Sequence, residues 1–128
     1  MSRLCILGRV AFFAFLLVDL ALSLQPRASV DAMYSADFQS HDRFVHAVLY
    51  FALGAAAAAG FVFRGPGVWR RRLAAALALA AFGAVLELLQ ATPLVNRSCS
   101  LSDMLHNAAG ALAGTLLFPA FLLSPEKP

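Results

Sequence analysis

Long apolar runs alternate with short polar breaks along this chain. Four runs stand out, over about 4–24, 44–63, 73–90 and 102–123. Each has about the twenty residues that a helix needs to cross a hydrocarbon core of roughly 30 Å. The pattern predicts four helices and neither strands nor a soluble domain. Gly54, Ala58 and the neighbouring alanines give the second run a small-residue face, and Gly83 lies within the third. Such faces let helices approach closely in lipid. The first break, 25–41, carries Pro26, Asp31 and Asp37 and reads as a loop with a short interfacial helix around Tyr34 and Phe38. The second, 64–72, reads as a tight basic turn around Gly65-Pro66-Gly67. The third, 91–101, is broken by Pro93. Ser100 is placed to cap the last helix, with Asp103 favouring its positive N-terminal end. Pro119 is placed to loosen that helix's last turn.

Composition narrows the class further. The 128 residues are 61% hydrophobic and 13% charged, with a mean hydropathy of +0.76. Soluble domains do not have this balance. The chain is read as a single domain over 1–128, an all-α, four-helix transmembrane bundle with short loops. The net charge of +3 does not point to nucleic acid, because Arg64, Arg70, Arg71 and Arg72 fall in one short break. In a membrane protein that is a topology signal. With the N-terminus inside, Arg3, Arg9, Arg64, Arg70, Arg71, Arg72 and Lys127 lie inward. Only Arg27, Arg43 and Arg97 lie outward. This obeys the positive-inside rule and puts both termini in the cytoplasm. The rival for the first run is a cleaved secretory signal, with a basic start and small residues around Ala21 and Ser23. The length of the run and Asp19 within it favour a retained span. Cys5 and Cys99 fall near opposite faces, too far apart for a disulfide.

That topology delivers polar residues from distant segments to one depth. Asp42, His46 and Tyr50 recur every four residues and share a helix face. Glu87 and Gln90 close the third run. Asp103 and Asn107 open the fourth and lead into Gly110 and Gly114, a GxxxG spacing. Ionisable groups at membrane depth are functional suspects. Arg97, in the break, is expected to grip Glu87 or Asp103 bidentately. Gln90 and Asn107 are expected to hydrogen-bond across the helix seam, and His46 to hold or relay a proton beside Asp42. Glu87, Asp103 and His46 are thus the candidates for chemistry. Asp42, Arg43, Gln90, Arg97 and Asn107 are the candidates for ligand binding. Each has a structural counter-reading as a helix cap or interhelical link, and Tyr50, His41 and His106 fit packing or interfacial roles. His46, Glu87 and Asp103 would also suit zinc or manganese. No tight ligand spacing accompanies them, and no metal or other cofactor is assigned. Ser98, Ser100 and Ser102 are nucleophile candidates by proximity alone.

The ordered set Asp42-Arg43-x-x-His46-x-x-x-Tyr50, Glu87-x-x-Gln90 and Arg97-x-x-Ser100-x-x-Asp103-x-x-x-Asn107-x-x-Gly110 resembles the VanZ-like family of small bacterial membrane proteins. The resemblance covers roughly 42–114. This chain has Arg43 where the family usually shows lysine, and Asn96 where a glycine often precedes the arginine. The resemblance implies a multi-pass inner-membrane protein of the cell envelope. For the family's namesake, it implies lowered teicoplanin susceptibility without altered peptidoglycan termini. The expected partners are membrane lipids and a lipid-linked envelope precursor or amphiphilic antibiotic, with a homodimer compatible with the small-residue faces. The leading expectation is an outward polar pocket that binds or modifies an anionic lipid-linked or amphiphilic ligand. The alternatives are a membrane hydrolase or transferase acting on lipid-phosphate intermediates, and a non-catalytic structural or partner-binding protein.

Overall fold

The structure, a computed structural model, describes residues 3–33, 41–61 and 66–118. All regular structure among them is helical: α1 (Arg3–Ser23), α2 (Arg27–Met33), α3 (Asp42–Gly60), α4 (Val68–Gln90) and α5 (Leu101–Leu117). Three of these, α1, α3 and α4, are long and apolar enough to cross a membrane. The short α2 falls in the predicted first loop. The interfacial helix expected around Tyr34 and Phe38, the turn residues 64–65 and the end of the fourth run from Pro119 lie outside the described residues.

Burial is inverted relative to a water-soluble bundle. In α1 the buried positions are Cys5, Gly8, Asp19 and Ser23, while Leu7, Val10, Phe13 and Leu17 face outward. In α3 the buried face includes Leu53, Gly54 and the run from Ala56 to Gly60. Small residues inside and large apolar ones outside are what lipid favours, because burying leucine gains little when the solvent is itself hydrocarbon. Tyr50, Leu53, Ala57, Leu79 and Ala111 form the core cluster, with Phe12, Leu16 and Phe82 against it.

The helix directions follow from the contacts. Gly8 of α1 packs on Ala59 and Gly60 of α3, while Asp19 meets His46, so α1 and α3 are antiparallel. Arg72 of α4 reaches the end of α5 and Glu87 reaches its start, so these two are also antiparallel. Gly110 and Gly114 of α5 lie on the backbone of Ala47 and Phe51 of α3, which makes that pair parallel. One end of the bundle therefore collects the C-terminal ends of α1 and α4 and the N-terminal ends of α3 and α5.

The opposite end is basic, and two of its arginines cap helices. Arg9 Nε donates to Gly60 O at 3.0 Å, closing α3. Arg72 Nη1 donates to Leu116 O at 3.2 Å and Phe118 O at 2.9 Å, closing α5. A cation at a helix C-terminus satisfies open carbonyls and complements the dipole. Because Arg72 turns inward, α4 starts at Val68 and takes in Arg70–Arg72, five residues before the expected start at 73. Gly67, at φ 75°, precedes it in the left-handed region that glycine enters without steric cost.

The predicted cap of the last helix is present. Ser100 has an extended backbone, and its Oγ accepts from Asp103 N at 3.3 Å. Ser100→Ala is expected to lower stability by about 1 kcal/mol, read as a lower melting temperature in detergent, with Ser100→Thr recovering most of it.

Candidate functional site

At the polar end, four ionisable groups form a chain across three segments. Asp19 on α1 is fully buried, and Ser23, one turn on, donates to its Oδ1 at 3.4 Å. His46 lies between two carboxylates: Nδ1 is 3.8 Å from Asp19 Oδ1 and Nε2 is 3.5 Å from Asp42 Oδ1. Both distances are longer than a close hydrogen bond. Asp42 Oδ2 then accepts from Arg97 Nη2 at 3.1 Å, and Arg97 Nη1 donates to Leu22 O at 3.3 Å. The spacing of four in Asp42, His46 and Tyr50 turns all three inward. Tyr50 continues the row beneath, buried next to Asp19, with Gly83 leaving room for its ring.

The loop before α5 explains how Arg97 reaches this chain. Asn96 adopts φ 53°, a conformation that suits glycine and that asparagine tolerates better than most residues. Asn96 N donates to Thr92 O at 2.8 Å and Arg97 N donates to Gln90 O at 2.9 Å. Val95 is buried, and its carbonyl accepts from Arg27 N at 3.0 Å. This tight reversal aims the guanidinium back at α1 and α3. The expected pairing of Arg97 with Glu87 or Asp103 is therefore corrected. Glu87 Oε2 instead accepts from Ser100 N at 3.2 Å, and Asp103 Oδ1 lies 3.3 Å from Arg43 Nε. The expected bond between Gln90 and Asn107 does not form either. Both are buried, but Asn107 Oδ1 has no partner among the described residues.

A cavity of about 260 Å³ opens over this cluster, lined among others by Asp42, Arg43, Gln90, Arg97 and Asp103. Five of the eight expected site residues thus converge on one space. His46, Glu87 and Asn107 are buried and do not line it. Gln25, Arg27, Asp31 and Ser98 line it as well; Arg27 was expected on this face, but none of the four was expected as a ligand-binding residue. The cavity's arginines each have an aspartate: Arg97 with Asp42, Arg43 with Asp103, and Arg27 with Asp31 at 3.6 Å. Asp19 was also missed as a site residue, although a lone acid inside an apolar run was its signal. Among the described residues no three His, Cys, Asp or Glu side chains gather as a metal-binding group, and His46, Glu87 and Asp103 do not come together as one. His106 is exposed, with Nδ1 2.6 Å from Ser102 O. Cys5, buried, and Cys99, exposed, are not disulfide-bonded.

Comparison with family models, curated proteins and solved structures finds no match for this chain.

Proposed function

We propose that the chain is a VanZ-like, four-span protein of the bacterial inner membrane, with both termini cytoplasmic. Its outward-facing pocket binds the anionic head of a lipid-linked or amphiphilic envelope ligand. The observation that carries this reading is the convergence of Asp42, Arg43, Gln90, Arg97 and Asp103 on one cavity. The left-handed Asn96, at the position where the VanZ-like pattern often has glycine, supports the resemblance in the loop that aims Arg97. By the positive-inside rule, we take the basic end with the helix caps Arg9 and Arg72 as the cytoplasmic one. The 17 residues of α5 rise about 26 Å, a little short of the roughly 30 Å core. It serves as the fourth span, packed on α3 and α4.

Size selects the part of the ligand that is held. At about 260 Å³ the cavity is at the small end for ligand sites, so it suits a head group rather than a whole glycopeptide. Charge selects the residue that holds it. The pair formed by Arg43 and Asp103 is open to solvent on the arginine side, and such pairs contribute only about 0–1 kcal/mol. An incoming phosphate or carboxylate can take Arg43 at little cost, whereas Arg97 is tied to Asp42 and to the backbone of α1. Of the residues expected to carry chemistry, only Asp103 lines the cavity, which supports binding over turnover.

The test is teicoplanin susceptibility in a sensitive Gram-positive host at matched membrane abundance. The wild type is expected to raise tolerance, and Arg43→Gln to remove most of that gain. Tolerance unchanged by the wild type, or fully retained by Arg43→Gln, rejects the reading.

A further inference from the structure

We infer that the ligand enters sideways between α1 and α3 and lays a hydrocarbon chain in the groove there while its phosphate head occupies the polar cavity. This rests on the head-binding reading above and adds the route of entry and the class of ligand, a phosphate-bearing amphiphile.

The groove, about 300 Å³, is lined only by apolar side chains, among them Phe15 and Val18 of α1 and Phe44, Val48 and Ala52 of α3. Leu22 and Val45 line both this groove and the polar cavity. A charged chamber and an apolar slot therefore adjoin across two shared side chains, the layout that an amphiphile requires and that a free anion would not. Consecutive residues of α3 divide the work: Arg43 faces the chamber, Phe44 the slot, and Val45 both.

The residues along the seam between α1 and α3 explain why the slot lies toward the polar end. Near the basic end α1 and α3 touch backbone to backbone, and a Cβ on Gly8 would lie 2.6 Å from Gly60 N. Toward the polar end Asp19 and His46 meet between the two helices, and phenylalanine and valine flank that contact on the outer surface. The slot opens laterally, since Val18, Phe44 and Val48 of its lining are exposed. Aliphatic side chains and an acyl chain are mutually soluble, so filling the slot demands no desolvation of polar groups. The head, in contrast, exchanges water for Arg43.

The probe is lysophosphatidylglycerol carrying a diazirine in mid-chain, photolysed with the full chain in phosphatidylcholine vesicles and mapped by mass spectrometry. Adducts are expected on the stretches around Phe15–Val18 and Val48–Ala52, above the level on Leu77 and Val85 of α4, which are also exposed. Arg43→Gln is expected to reduce the groove adducts roughly tenfold, because it removes a charge-assisted contact. Val48→Trp, which fills the slot from an exposed position, is expected to weaken lysolipid binding roughly tenfold. It should leave binding of glycerol phosphate, the head alone, unchanged, and this second ligand shows that the variant is folded. Adducts spread evenly over α1, α3 and α4, or undiminished lysolipid binding in Val48→Trp, overturn the inference. If Arg43→Gln still lowers glycerol phosphate binding in that case, the head site survives without the slot. If glycerol phosphate binding is indifferent to Arg43, the head-binding reading fails as well.

Discussion

Gly114→Val is expected to keep the bundle from accumulating in the membrane. A Cβ on Gly114 would fall on the carbonyl oxygen of Phe51, and one on Gly110 on that of Ala47. From the other side, a Cβ on Gly54 would lie 2.6 Å from Ala111 O and 2.8 Å from Thr115 Oγ1. The obstacles are mainly backbone atoms of a neighbouring helix, which cannot rotate aside as a side chain can. Accommodation means separating α3 from α5, the most extensive helix contact among the described residues. Overpacking a core commonly costs 1–3 kcal/mol, and a backbone clash belongs at or above about 3 kcal/mol, a large share of a typical total stability. Gly114→Ala should show the same defect in milder form. Gly67→Ala is the matched control: its φ of 75° is strained for alanine, but no heavy atom lies within 4 Å of the added carbon, so a loss of only about 1 kcal/mol is expected. Membrane abundance and the melting temperature in detergent are the readouts. Wild-type values for Gly114→Val would mean that α3 and α5 do not pack through these glycines.

The same two helices show what a sequence of this kind discloses. Apolar runs and a small-residue spacing sufficed to foresee the all-helical fold and the glycine face of α5, because lipid imposes length and composition directly. Helix ends were less legible. Charges at Arg70–Arg72 looked like the edge of a span, yet the backbone continues through them, since Arg72 finds carbonyl partners at the end of α5. In the site, helical spacing revealed which residues share a face, and topology placed those faces at one end. It left open who pairs with whom. That depends on the relative height of the helices and on the handedness of one residue, Asn96, neither of which a linear pattern encodes. Asp19 stayed outside the expected cluster for a similar reason: its partner His46 is remote in sequence, and only the antiparallel crossing of α1 and α3 brings them together.

Arg97→Ala is expected to destabilise the protein by about 2 kcal/mol, and adding Asp42→Asn is expected to restore part of the loss. Arg97 joins the end of α1, through Leu22 O, to the start of α3, through Asp42, while its own N–H holds the end of α4 through Gln90 O. Removing one member of a fully buried ion pair costs about 3–5 kcal/mol, chiefly because the other charge is left without its partner. Asp42 retains His46 and is about one-third exposed, so solvent and the imidazole reduce that penalty. Neutralising Asp42 as well removes the stranded charge, which is why the double variant should melt above Arg97→Ala. Arg97→Lys should recover less than half, since two different guanidinium nitrogens make the two contacts and a single ammonium does not reproduce that fork. The cycle also separates two roles for the same side chain. If Arg97→Ala accumulates and melts like the wild type but loses teicoplanin tolerance, Arg97 acts on the ligand. If stability falls and Asp42→Asn partly restores it, Arg97 holds the chamber together, and Arg43 is left as the cation that meets the head group.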